Sequence, residues 1–370
     1  MHEICTETNF NDKQRVLRIL KQTKIFMEQG FINNGHAYAK GRARSYFSPS
    51  ALLAEQTNGI DFYLWLCELL EHFDERFENL HKKLSELTKT LFCDDACTLS
   101  FAGSSEAQEI FWKTNESFTS KSAGEKLQTP TCVQKNEAFI VKSNVCFASV
   151  ASDRHLFEHD AADNASAATG NTDNVAASSA ANNASAAATD SSNNATNKNT
   201  AVSKDDFSGA WLVANTALSL DYLWNEIRVK GGAYGVGFAA KRLGDMSYYT
   251  YRDPHLNSSI KRIANSATWL SSFKTDAQGF DGFIISAVSS IDAPVKARAL
   301  IARQDSQYFR GEDESARAKL RKELLECNIE QVYALSPYIQ RAIDTNNICV
   351  IGNEKILKNN KLGLKVIELC

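Results

Sequence analysis

The chain has 370 residues, 43% of them hydrophobic and 23% charged, and at roughly 150 residues per domain that length suggests two lobes with something added. Lys and Arg number 41 against 44 Asp and Glu, a formal net charge of -3, which gives no electrostatic reason to expect nucleic acid or an anionic membrane as a partner. The start, MHEICTETNFND, lacks the basic and apolar runs of a secretory signal, and no later apolar run is long enough to span a bilayer, so the sequence reads as that of a soluble cytoplasmic protein. The nine cysteines are mostly scattered singly, without paired Cys-x-x-Cys knuckles, and read as reduced, mostly buried thiols.

From Asn11 to about Gly30, Val16, Leu20 and Met27 recur at helical spacing, with Asn11 or Asp12 able to cap the start. Residues 36–56 predict two shorter helices broken before Pro49. A nearly all-apolar helix follows through Phe62, Tyr63, Leu64, Trp65, Leu66, Leu69 and Leu70, then a one-faced helix carrying Phe77, Leu80, Leu84, Leu87 and Leu91. Cys97 to Phe101 reads as a strand and 105–115 as another helix. The polar, Pro130-containing stretch before Asn136 reads as a linker. Ala138–Val141 and Val145–Val150 then read as strands.

From Asp160 to Thr200 the sequence is almost entirely Ala, Asn, Ser, Thr and Asp. So little apolar surface cannot offset roughly 1–2 kcal/mol of backbone entropy per residue, which predicts a disordered insertion within one domain. Order returns with Phe207, Trp211, Ala214, Leu218 and Tyr222 on one face of a helix that ends near Arg228, stopped by Gly231-Gly232. A hairpin of Tyr234–Ala240 and Met246–Tyr251 follows, then helices over 255–271, 278–290, 294–309, 313–326 and 329–343, and a closing strand at Ile348–Ile351. The expected class is α+β. Residues 1–120 form a helical connecting region with the end of a preceding lobe and 121–136 a linker. Residues 137–370 form an α/β sandwich lobe, with helices on one face of a mainly antiparallel sheet and an insertion at 160–206.

One short stretch, IRVKGGAYG at 227–235, carries more than a turn requires. An arginine in the last turn of a helix and two glycines that permit positive φ are explained by structure alone. Tyr234 is not, because a tyrosine at the mouth of a glycine turn presents its hydroxyl outward instead of packing.

The run DYLWNEIRVKGGAYG, followed by YYTYRDPHL at 248–256, resembles the C-terminal part of the presequence-protease branch (M16, subfamily C) of the pitrilysin/insulinase zinc metallopeptidases. NNGHAYAKGRARSYFSPSALLAEQTNGIDFYLWL at 33–66 is similar to that branch's helical connecting region, and FRGEDESARAKLRKELL at 309–325 to its terminal helices. The resemblance implies one of two similar halves that close around a chamber, with zinc held by the N-terminal half and not by this chain. It implies peptide substrates and, if the chain is active, a separately encoded N-terminal zinc-binding half, while the charge balance leaves no nucleic-acid or membrane partner expected. It assigns the catalytic pair to Arg228 and Tyr234, and substrate backbone contact to the turn Gly231, Gly232 and Ala233. A guanidinium suits a peptide carbonyl or carboxylate, and a phenol suits the oxyanion formed when zinc-bound water attacks. The alternative expectation is a non-catalytic binding or assembly protein that keeps the fold.

His155-Leu156-Phe157-Glu158-His159 also matches H-x-x-E-H, with His155 and His159 as candidate zinc ligands and Glu158 as base. The expectation is against a working site there. The motif runs straight into the low-complexity segment, follows a strand where a loop is expected, and lacks a third ligand other than Glu226. His36 reads as a helix cap or surface residue, and Arg252-Asp253 as a local ion pair before Pro254.

Overall fold

The structure, a computed structural model, describes residues 2–92, 100–101, 103–114, 128–155, 207–312 and 314–369. The N-terminal region is helical: α1 (His2–Glu7), α2 (Lys13–Asn33), α3 (Gly35–Ser45), α4 (Pro49–Asn58), α5 (Ile60–Glu71), α6 (Phe73–Leu91) and α7 (Ser105–Thr114). Its helix starts follow local chemistry. Asp12 Oδ1 accepts the Arg15 N–H at 2.9 Å, and the Ser48 side chain caps the helix that Pro49 opens. Of the strand expected at Cys97–Phe101, residues 97–99 lie outside the described residues, and Phe101 belongs to no strand. Residues 121–127 of the expected linker, and the insertion, also lie outside them.

Six strands form one sheet: β1 (Asn136–Ile140), β2 (Cys146–Asp153), β3 (Gly235–Ala240), β4 (Asp245–Asp253), β5 (Ile348–Gly352) and β6 (Lys365–Glu368), in the order β3-β4-β2-β5-β1-β6. Between β2 and β3 run α8 (Gly209–Thr216) and α9 (Ala217–Val229). Between β4 and β5 come α10 (Leu256–Ala264), α11 (Ser266–Leu270), α12 (Ala277–Ile291), α13 (Ala297–Arg310), α14 (Glu314–Leu325), α15 (Ile329–Tyr333) and α16 (Ser336–Asp344). The chain does not close on β5, because α17 (Glu354–Lys358) leads to the edge strand β6.

The α+β class holds, with one correction. The sheet is mainly antiparallel as expected: β2–β4, β2–β5 and β3–β4 pair antiparallel, while β5 and β6 flank β1 in parallel. Helices, however, cover both faces and not one. Trp211, Leu218, Leu223, Ile227 and Ile339 pack with Ala148, Val150 and Val350 on one side. Met27, Phe31, Ala39, Ala43 and Tyr63 pack with Phe139, Ala151, Cys349 and Ile351 on the other. The reason lies in β5, ICVIG, buried at every position: a strand apolar on both faces needs a layer on each. Among the described residues Cys67, Cys146, Cys327 and Cys349 are buried reduced thiols, and Cys5 and Cys132 are half-buried ones. No described helix is long and apolar enough to cross a membrane.

The second face is fastened by a buried ionic cluster. Arg42 Nε donates to Glu137 Oε2 at 2.8 Å, and its Nη1 lies 2.7 Å from Asp61 and 3.4 Å from Glu55, with Arg42 and Glu55 each only 4% exposed. Tyr46 donates its hydroxyl to the same Glu137 oxygen at 3.1 Å, and Glu55 accepts the Ile60 N–H at 2.6 Å. Burial opposes the charge on Arg42, but the hydrogen bond and charge of Glu137 more than offset it, so its pKa rises. Burial pushes Glu55 up from the ordinary carboxylate value, against the pull of Arg42. Arg44 adds a two-pronged contact to Asp245 at 3.0 and 2.6 Å, pinning α3 to the start of β4.

β3 is an edge strand, and side chains close its free edge. Asn215 Nδ2 donates to the Ala240 carbonyl at 3.0 Å and Asn215 Oδ1 accepts the Ala240 N–H at 2.7 Å. Ser219 Oγ treats Phe238 in the same way, at 3.1 and 3.0 Å. These amide and hydroxyl groups take the place of a seventh strand and block edge pairing. Asn215→Ala leaves two strand groups without partners and is expected to cost about 2 kcal/mol in urea unfolding; an unchanged midpoint would show that water replaces the side chain freely.

Candidate functional site

The site grows out of α9. Its backbone bonds reach back five residues at the end, Lys230 N–H donating to Asn225 O at 3.0 Å, in a wide helical form that often marks functional positions. One face, with Leu218, Tyr222, Leu223 and Ile227, is core. The other face carries Trp224 and, four residues on, Arg228, whose Cζ sits 3.8 Å from the Trp224 ring centroid. That stacking holds the guanidinium in place without neutralising it.

The glycines then turn the chain. The Gly232 N–H donates to Arg228 O at 2.9 Å and the Ala233 N–H to Ile227 O at 3.2 Å. A Cβ on Gly231 would lie 2.4 Å from both Ile227 O and Arg262 Nη1, and Gly232 has φ +78°. Each position therefore requires glycine, one for space and one for conformation. Gly231→Ala is expected to lower stability by about 1–3 kcal/mol through overpacking, read as a fall in thermal midpoint. Of the three residues expected to meet substrate backbone, Gly231 and Ala233 are buried and shape the turn, and only Gly232 is exposed.

Tyr234 leaves the turn with its N–H donated to Tyr251 O at 3.0 Å and its side chain 67% exposed. Its ring lies 5.6 Å from Arg228 Cζ and 5.9 Å from the Tyr251 ring. Among the described residues Arg228 makes no ion pair and the Tyr234 hydroxyl no hydrogen bond, so both donors are uncommitted. The nearby carboxylate Glu226 is already taken by Lys230 at 2.5 Å and Arg262 at 3.9 Å. Sequence reasoning missed Trp224 and Tyr251 as parts of this wall. The signal for Trp224 was its spacing of four from Arg228 on one helical face.

Residues 196–354 match the family described as PreP C-terminal domain, and residues 1–69 match the associated region of peptidase family M16, subfamily C. These two matches mark the chain as similar to the C-terminal part of a presequence-protease-like protein of that subfamily. It is 24% identical over 363 residues to Protein HypA of Clostridium perfringens, covering 97% of this chain and 32% of that protein. It is 22% identical over 359 residues to the mitochondrial presequence protease of Xenopus laevis, covering 95% of this chain and 33% of the other. This presequence-protease-like chain thus spans about a third of the length of these relatives. A peptidase M16 inactive domain from Pseudomonas fluorescens superposes with a TM-score of 0.40 at 13% identity, over 68% of this chain and 51% of that one.

The remaining candidates of this presequence-protease-like chain fall elsewhere. His155 is 3% exposed, its N–H donated to Asp153 Oδ1 at 3.0 Å, and it packs beside Gly244 in the β3–β4 turn. Tyr234 precedes β3 at the opposite end of that hairpin, about 20 Å away at 3.3 Å per strand residue, so His155 does not converge on the Arg228–Tyr234 wall. Glu158 and His159 lie outside the described residues. Among the described residues no group of three or more His, Cys, Asp or Glu is arranged to hold a metal ion.

His36 is not a cap. It packs against Phe147, Tyr249 and Tyr251 with ring centroids 6.5, 5.6 and 4.9 Å away, and burial, followed by the charge of Lys40, lowers its pKa. Arg252 and Asp253 do not pair with each other. Asp253 is buried and accepts the His255 N–H at 2.8 Å, while Arg252 is exposed.

Proposed function

We propose that this chain forms the substrate-holding wall of a peptide-degrading metallopeptidase, with Arg228 and Tyr234 donating to the peptide carbonyl under attack. The observation that carries the reading is a guanidinium and an exposed phenol ring 5.6 Å apart, at a turn that needs two glycines. Both groups are hydrogen-bond donors, which suits them to binding and charge stabilisation. As the carbonyl carbon is attacked, charge gathers on its oxygen, and donors already aimed there need no reorganisation. The Trp224 face fixes the guanidinium plane, and the Tyr251 ring backs the phenol.

Zinc and the base that activates water would come from the other two thirds of the enzyme, on the same polypeptide or a separate one. Unfolded peptides are the substrates that suit a wall built to grip backbone. The test is cleavage of a fluorogenic unstructured peptide by the zinc-binding portion with and without this chain. Cleavage that needs both and stops with a chelator is expected. Full cleavage by the zinc-binding portion alone would contradict the reading.

A further inference from the structure

The pairing of β2 with β4 slips between Cys146 and Ala148, so that Tyr251 and Arg252 together oppose the single residue Phe147. This is a bulge, a device that re-aims a side chain. Arg252 sits in it with φ +52°, one of two non-glycine residues with positive φ among the described residues, the other being Asn346. Arginine gains nothing from that conformation, and strain of this kind persists where the surroundings fix it for a use.

The conformation leaves Arg252 exposed beside the wall already described. Its Cζ lies 5.6 Å from the Tyr251 ring, which is 5.9 Å from the Tyr234 ring, which is 5.6 Å from Arg228 Cζ. The two segments abut, since a Cβ on Gly232 would lie 3.7 Å from Pro254 Cγ. A row of Trp224, Arg228, Tyr234, Tyr251 and Arg252 thus has a cation near each end. Neither has a carboxylate partner among the described residues. The adjacent Asp253 is turned inward onto the His255 N–H, and Glu226 is held by Lys230.

We propose that Arg252 is a substrate-binding residue that takes a carboxylate of the bound peptide, either its C-terminus or an acidic side chain. The idea rests on the reading of the Arg228–Tyr234 wall as the place where the peptide lies. An unpaired guanidinium offers its two-pronged fork to a carboxylate and has no equally good use for a neutral amide. Extended peptide advances about 3.3–3.6 Å per residue, so Arg228 and Arg252 fall within about five residues of each other along a bound chain.

The test compares kcat/KM of the complete enzyme on one unstructured peptide in three forms: free C-terminus, amidated C-terminus, and amidated with an internal Glu replaced by Gln. The parent enzyme is expected to favour a carboxylate form by about tenfold, mainly through KM, as befits one charged hydrogen bond. The arm in which the preference appears says whether the terminus or the side chain is held. Arg252→Ala and Arg252→Gly are both expected to abolish the preference and Arg252→Lys to keep part of it. Arg252→Gly also relieves the positive φ, so its unfolding temperature is expected to equal or exceed the parent's, which separates lost recognition from misfolding. Equal handling of all forms by the parent, or a preference that survives Arg252→Ala, overturns the proposal. Arg228→Ala slows all three forms alike if the wall reading is right, so failure of that reading is seen separately.

Discussion

Tyr234→Phe is expected to lower the rate constant for peptide cleavage by the complete enzyme by about 100-fold, the cost of one donor to a developing oxyanion. The unfolding temperature is expected to stay at the parent value. The ring contacts with Arg228 and Tyr251 survive in phenylalanine, and the hydroxyl has no hydrogen bond to lose among the described residues. A donor used only in the transition state lowers kcat and kcat/KM together, whereas one that grips the ground state raises KM alone. Steady-state kinetics therefore separate oxyanion stabilisation from simple gripping. Arg228→Lys is expected to fall on the same side. A lysine keeps the charge but loses the planar fork stacked 3.8 Å over Trp224.

The largest stability effect is expected from Arg42→Met. The substitution leaves Glu137 and Glu55 buried without their cation, and breaking a buried pair from one side costs about 3–5 kcal/mol. The effect depends on pH with a definite sign. Burial already pushes the Glu55 pKa up and Arg42 pulls against it, so without Arg42 the pKa climbs further. A carboxyl with a raised folded-state pKa contributes stability that is fully present below its unfolded pKa and lost as pH rises through the folded one. The variant is therefore expected to be closest to the parent in acid and to fall further behind as the pH is raised towards neutrality. Urea unfolding at two pH values checks this. A gap that widens in acid would show that Glu55 stays ionised without Arg42.

Much of the helical layout was legible because it rests on local chemistry. Asp12 and the break before Pro49 mark helix ends within a few residues, and the hairpin expected at Tyr234–Ala240 and Met246–Tyr251 matches β3 and β4 to within two residues. What was not legible depends on distant partners. β6, KVIE, is largely exposed and has no apolar alternation, and only its parallel pairing with β1 makes it a strand. The docking of α3 on the second face rests on Gly35, Ala39 and Ala43, small residues that carry little hydrophobic signal but let the helix approach; a Cβ on Gly35 would lie 2.4 Å from the Phe147 ring. The wide form of α9 has no sequence signature either. At the site, Arg228, the two glycines and Tyr234 were readable as a motif, while Arg252 was misread as an ion pair. Nothing in the residue order reveals that a bulge opposite Phe147 turns Arg252 away from Asp253.

The claim that Arg228 and Tyr234 serve one peptide oxygen together is tested most directly by a double-mutant cycle on kcat/KM, using Arg228→Ala, Tyr234→Phe and both at once. Groups that act as a unit give strongly non-additive losses. Each single variant is expected to lose about 100-fold or more, and the double variant little beyond the worse single. Single variants within about twofold of the parent, or losses that simply multiply, would contradict the account.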